Sequence, residues 1–184
     1  MEEVLTKTEH PNFDTVWAVL QDVAERQRET DRIMKETNKK IGRLGNSLGD
    51  IIEYQVMPCA LEKFRKHGFI FTKAYPHAFI KDEKNNIVTE VDITLENGDK
   101  VMLIDVKVKL KSDDIDEHIE RIKKVKTHAG LRGDKRLLLG AVAGMVISDS
   151  ERNYAMKNGL YVIEPSGESF TIAAPKGNYT PREW

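Results

Sequence analysis

The stretch Ile87-Val88-Thr89-Glu90-Val91-Asp92-Ile93-Thr94-Leu95-Glu96-Asn97-Gly98-Asp99-Lys100-Val101-Met102-Leu103-Ile104-Asp105-Val106-Lys107-Val108-Lys109-Leu110 alternates apolar and polar residues on both sides of an Asn-Gly pair. Alternation with period two marks a half-buried strand, because successive side chains point to opposite faces, and Asn-Gly supplies the positive-φ turn that joins two such strands. The stretch predicts strands over Ile87 to Leu95 and Val101 to Leu110, joined by Glu96-Asn97-Gly98-Asp99. In the first strand Val91, Ile93 and Leu95 point one way and Glu90, Asp92 and Thr94 the other. In the second, Met102, Ile104, Val106, Val108 and Leu110 form one face. Asp105, Lys107 and Lys109 lie on the opposite face with Val101 and Leu103, so the polar groups are expected to share a face.

Register decides which acids meet. A two-residue loop places Glu90 opposite Asp105 with Asp92 diagonal to it, whereas a four-residue loop places Asp92 directly opposite Asp105. Carboxylates roughly 5 to 8 Å apart on one sheet face repel, and they favour a shared proton or a divalent cation. Hard oxygen donors point to magnesium or manganese. Lys107, two residues after Asp105, would stand beside that ion, where an ammonium can orient an attacking water or stabilise charge on a phosphoryl oxygen. The alternative is a surface salt bridge between Asp105 and Lys107 or Lys109 on an exposed sheet face. An ammonium bridging Asp92 and Asp105 would favour that structural pair. The tripeptide is weak by itself, since Asp82 and Lys84 repeat it; its placement within an apolar strand gives it weight.

Beyond the hairpin, Asp113, Asp114, Asp116 and Glu117 open a helix whose later turns carry Lys123, Lys124 and Lys126, an order that suits the helix dipole. Its core stripe is Ile115, Ile119, Ile122 and Val125. The apolar run Leu137 to Ile147 reads as a central strand, parallel to its neighbour and covered on both faces. Ser148 and Glu151 cap a further helix that Asn158-Gly159 ends, and Tyr161 to Ile163 and Ser169 to Ile172 finish as short strands. Residues 175–184 form a C-terminal tail without a clear structural signal.

On the N-terminal side, Phe69 to Phe71 reads as a strand. Before it, Ile52, Val56, Cys59, Ala60 and Phe64 give a helical stripe with Glu53 at its edge, a kink is expected at Pro58, and His67-Gly68 closes the helix. Gly42, Gly45 and Gly49 are expected to break the chain here, with Ser47 and Asp50 capping the new helix. Upstream, Phe13, Val16, Leu20, Val23, Gln27, Thr30, Met34, Thr37, Ile41, Leu44 and Leu48 recur in alternating steps of three and four, a heptad seam. Self-association along it predicts a homodimer, parallel or antiparallel; a single amphipathic helix folded back on its own domain is the alternative. The organisation is thus an N-terminal helical arm over 1–44, an α/β domain over 45–174 and the tail.

The 184 residues carry 29 basic and 30 acidic side chains, a balance that supplies no global electrostatic case for nucleic acid. Any such surface must be a local patch. One cysteine, Cys59, excludes an intramolecular disulfide and zinc sites built on several thiolates. A polar N-terminus and the lack of a long apolar run give no membrane span, and the reading is cytoplasmic.

Glu53, then Val91-Asp92-Ile93, then Ile104-Asp105-Val106-Lys107 resemble in this order the PD-(D/E)xK restriction-endonuclease-like superfamily. The resemblance covers roughly Ser47 to Ile163. It implies a mixed central sheet flanked by helices, in the order helix, three strands, helix, strand. It also implies catalytic roles for Glu53, Asp92, Asp105 and Lys107, with magnesium or manganese on Asp92 and Asp105. Gly45 to Phe64 and Gly140-Ala141-Val142-Ala143-Gly144-Met145 resemble prokaryotic members that place a coiled coil before this domain and whose role is not established. Val91 stands where a proline is common, and Asp105 where glutamate is commoner. The function implied is metal-dependent phosphodiester hydrolysis, with DNA the favoured substrate. The rival is a catalytically inactive module of the same fold that binds a partner or assembles through its coiled coil.

Other signals are weaker. Gly45-Asn46-Ser47-Leu48-Gly49 matches a nucleophile elbow, but no strand precedes it. The five histidines lack metal-ligand spacing, and His118 alone is singled out, as a polar residue near the site. Lys109, His118, Arg121 and Lys124 are candidate nucleic-acid contacts within the densest basic stretch, which a solvated helix face explains as readily.

Overall fold

The computed structural model describes residues 12–82, 84–167, 169–173 and 181–184. It divides into two compact units, Met1–Asn46 and Ser47–Trp184. Helix α1 (Phe13–Lys66) is followed by β1 (Lys73–Lys81), β2 (Ile87–Glu96), β3 (Lys100–Lys109), α2 (Ser112–Leu131), β4 (Leu137–Val146), α3 (Asp149–Lys157), β5 (Tyr161–Ser166) and β6 (Ser169–Ile172). The fold is α/β, and the order helix, three strands, helix, strand is the one implied by the resemblance.

In the first unit the helix carries its apolar residues outward. Val16, Leu20, Val23, Met34, Ile41 and Leu44 of the heptad seam are all exposed, as are Trp17, Val19 and Ile33 beside it. The break expected at Gly42, Gly45 and Gly49 does not occur: α1 is helical through all three, and Ser47 is an interior residue with no capping role. A helical glycine costs only about 1 kcal/mol relative to alanine, which neighbouring turns with good helix formers offset.

In the second unit α1 buries Ile52, Val56, Ala60 and Phe64 and continues through Pro58. Gly68 (φ 86) ends it as anticipated, with Phe69 N–H donating to Phe64 O and Gly68 N–H to Arg65 O, a Schellman motif. The strand expected at Phe69 to Phe71 is absent. Instead Phe69 and Phe71 stack on one another and set their edges against Phe64, and the chain enters the sheet only at Lys73. Strand β1 escaped notice because it contains Pro76 and His77 and lacks clean alternation.

All six strands form one sheet in chain order, antiparallel except for the parallel pairs β3·β4 and β4·β5. One face packs Ile93, Leu95, Met102, Ile104 and Val106 against Ile52, Val56 and Phe64 of α1. The other packs Leu103, Val142 and Val162 against Ile115, Ile119 and Ile122 of α2. The expected faces hold for most residues, but Val91 and Leu110 join the α2 side, opposite to Ile93 and Met102. Strict alternation fails around Asp92, where the β2·β3 ladder ends. Helix α3 is capped by Ser148, whose hydroxyl accepts from Ser150 N–H and Glu151 N–H.

Within the segment read as a tail, residues 175–180 lie outside the described residues. Pro181 to Trp184 have no regular element but are docked: Trp184 exchanges backbone hydrogen bonds with Leu138, and Arg182 N–H donates to Gly159 O. Among the described residues no helix is long and apolar enough to cross a membrane.

Candidate functional site

The β2·β3 ladder runs from Glu96↔Val101 to Ile93↔Ile104 and stops. Continued by one step it would set Asp92 against Asp105, the arrangement of the four-residue loop. At that step the Val106 N–H donates to Asp92 Oδ2 at 2.7 Å, so a side chain takes a hydrogen bond that a backbone carbonyl would otherwise accept. Strand β3 stays paired with β4 out to Lys109↔Val146, and β2 stays paired with β1 through Ala78↔Val91 and beyond. The hairpin therefore parts at Asp92 and Asp105, and the acids sit in the fork.

Asp105 is 1% exposed. Lys107 Nζ lies 2.8 Å from its Oδ2 and 2.9 Å from its Oδ1, and 3.9 Å from Asp92 Oδ2. From α2, Arg121 donates to Asp105 Oδ1. Burial opposes the charge on Asp105, but His118, Lys107 and Arg121 together hold its carboxyl below the usual range. For Asp92, burial and then repulsion from Asp105 win over the Val106 N–H and the nearby cations, and its proton is held more tightly than usual. The lysine thus stands within reach of both carboxylates, the arrangement named above as favouring a structural ion pair.

Glu53 comes from α1 with its side chain 11% exposed, and burial, followed by repulsion from Asp92, pushes its carboxyl up to about 7. Its Oε2 lies 3.4 Å from Nε2 of His77, whose Nδ1 is 3.7 Å from Glu90 Oε1. Sequence reasoning passed over His77. Continuing the β1·β2 register sets it across from Asp92, and its φ of 48° is a left-handed conformation within a strand. Donor atoms of Asp50, Glu53 and His77 lie within 4.8 Å of one another, close enough to share a cation. The spacing of Glu53 and His77 in the chain carries no metal-ligand signal; only the packing of α1 against the sheet brings them together.

His118 has no exposed surface, so in this structure it is not available to a phosphate. Its Nε2 is 3.2 Å from Leu103 O; a carbonyl only accepts, so Nε2 carries the hydrogen. Burial lowers its pKa to about 4, and the ring is neutral at neutral pH. Arg121, expected as a nucleic-acid contact, is committed to Asp105. Lys109 and Lys124 are exposed.

The residues present suit a hard divalent cation by donor type, since Asp92 and Asp105 offer carboxylate oxygens at the fork. Binding one between them requires the Lys107 ammonium to withdraw. Its side chain is 31% exposed on a flexible stem, so it has room to do so.

No family model matches the chain, and no curated protein matches it. Among solved structures, the chain is similar to the small subunit (R.BspD6I2) of the heterodimeric restriction endonuclease R.BspD6I, with 17% sequence identity and a TM-score of 0.30. The match covers 54% of this chain and 56% of that one, so this chain spans little more than half of the protein it matches.

Proposed function

We propose that the chain is a metal-dependent phosphodiesterase acting on DNA, with the α/β domain over 45–174 as its catalytic part. The observation that carries this reading is the fork itself. Two acids from adjacent strands, and the lysine two residues after the second, converge where the β2·β3 ladder ends. Magnesium or manganese on Asp92 and Asp105 would supply Lewis-acid polarisation of a phosphoryl oxygen and a water of lowered pKa. Lys107, released from the carboxylates, orients the water and neutralises charge on the phosphoryl oxygens. Glu53, with a carboxyl that gains or loses its proton near pH 7, accepts the proton of the attacking water. Arg121 keeps Asp105 ionised and fixed. Lys109 and Lys124, exposed near the fork's strands and on α2, are suited to phosphate contacts. The setting is cytoplasmic, and the exposed seam of α1 pairs with a second copy.

Purified protein is incubated with plasmid, single-stranded and branched DNA in magnesium or manganese. Cleavage that is lost in Lys107→Ala and Asp105→Ala supports the assignment; cleavage that persists in both belongs to a contaminant and overturns it.

The second reading, a catalytically inactive module of the same fold, is favoured by the Lys107 bridge and by the Arg121 pair, which together already balance both carboxylates. Manganese titration separates the two readings. Saturable binding lost in Asp92→Asn supports the enzyme, and no binding by the native chain supports the module.

A further inference from the structure

A cavity of about 580 Å³ opens on the α2 side of the sheet, between β1, β2 and β3 and the C-terminal half of α2. Its volume falls within the roughly 300 to 1,000 Å³ of small-molecule sites. Apolar side chains, among them Val91, Leu103, Val125 and Leu138, line it. Half of the lining residues are polar, but only one of these is buried: Thr94 is 8% exposed, and its hydroxyl has no hydrogen-bond partner among the described residues. Leaving a buried hydroxyl unsatisfied costs about 1–3 kcal/mol, so such a group is expected to meet a partner when the cavity is filled.

The charge at the mouth indicates the sign of that partner. Of the three acids there, Glu96 and Asp134 each approach Arg136 to 2.7 Å, and Glu96 also lies 3.5 Å from Lys73, so two cations match these two carboxylates. Asp82 spends its carboxylate on its own turn, accepting from the N–H groups of Lys84 and Asn86. Arg132, by contrast, reaches only the Lys81 carbonyl, at 3.5 Å, among the described residues. Lys81 and Asp82 offset one another in number, so among the described residues the charge left over, that of Arg132, is positive. An apolar chamber, a hydroxyl in its wall and a free guanidinium at its mouth are complementary to one kind of molecule.

We propose that this cavity binds a compact organic anion with an apolar body, of the class of bicyclic aromatic carboxylates, its rings in the chamber, a polar substituent on Thr94 and its anionic group on Arg132. The proposal does not depend on phosphodiester hydrolysis, and it needs no metal.

Calorimetric titration of the full chain with 2-naphthoate, without divalent cations, tests it. Saturable one-to-one binding is expected, weakened roughly tenfold when the neutral 2-naphthylmethanol replaces the carboxylate, as loss of a charge-assisted hydrogen bond requires. Arg132→Gln should erase that preference for the anion, and Ala129→Phe, which fills the chamber from α2, should abolish binding while circular dichroism confirms an intact fold. Placing a hydroxyl on the second ring, as in 6-hydroxy-2-naphthoate, should improve binding to the native chain but not to Thr94→Val. Absence of saturable binding, or equal affinity in the native chain and Ala129→Phe, overturns the proposal.

Discussion

The carboxylate of Asp92 accepts the Val106 backbone N–H at 2.7 Å, which ends the β2·β3 ladder and opens the fork that holds the candidate site. Structure and chemistry therefore depend on one side chain, and substitutions separate them. Asp92→Asn retains an acceptor oxygen and should keep near-native stability while losing manganese binding. Asp92→Ala leaves the N–H without its partner and should cost about 1–3 kcal/mol. Urea denaturation of both variants, beside manganese titration, checks this; equal destabilisation would remove the hydrogen-bond argument.

Asp105 pairs with both Lys107 and Arg121 from a position 1% exposed. Asp105→Asn conserves volume but leaves two cations facing each other, with an expected cost near the lower end of about 3–5 kcal/mol because both cations keep some solvent. Adding Arg121→Gln should recover part of that loss. A double-mutant cycle by chemical denaturation measures the coupling, and simple additivity would contradict the pairing.

Two buried groups give opposing pH dependences. The Glu53 carboxyl is raised to about 7 from a reference of 4.5, so the folded state retains its proton after the unfolded state has lost it, and its contribution to stability falls as pH rises across that window. His118 is lowered to about 4 from 6.5, so its contribution is complete above 6.5 and is lost as pH falls toward 4. Relative to the native chain, Glu53→Gln should gain stability as pH rises from 5 to 8. His118→Gln should show less acid destabilisation than the native chain between 6.5 and 4. Thermal denaturation across this range decides both; parallel profiles for all three proteins would contradict the assigned burial effects.

Gly68 and Gly159 both adopt left-handed φ, at 86° and 83°, but in different surroundings. A Cβ on Gly68 meets nothing within 4 Å, whereas one on Gly159 would stand 2.4 Å from Arg182 Cβ and 2.8 Å from its backbone nitrogen. Gly68→Ala should cost about 1–2 kcal/mol from backbone strain alone. Gly159→Ala should cost more and expose Trp184, which tryptophan fluorescence reports. Equal costs would show that the Arg182 contact carries no energy.

The α1 seam predicts association. Each large apolar side chain buries roughly 100 Å² or more on pairing and contributes on the order of 1.5 kcal/mol, enough to offset the polar layer at Gln27 and Thr30. Analytical sedimentation should give a dimer for the full chain and a monomer both for Leu20→Glu/Val23→Glu and for a chain beginning at Gly45. A monomeric full chain removes the coiled-coil reading, and a dimer in every case moves the interface to the α/β domain.

The sequence by itself determined the hairpin, the core of α2, the start of α3 and the parallel strand β4, because each is written in local periodicity and caps: the alternation of Ile104 to Leu110, the stripe Ile115-Ile119-Ile122-Val125, the Ser148 cap. It also singled out Asp92, Asp105 and Lys107, whose polarity within apolar strands is visible without a structure. Other features were decided only in three dimensions. Strand β1 exists because β2 offers an edge to pair with, despite Pro76 and the left-handed His77. The meeting of Glu53 with His77, and of Arg121 with Asp105, joins residues far apart in the chain. No periodicity encodes such pairs; they form where packing of α1 and α2 on opposite faces of one sheet brings them within reach.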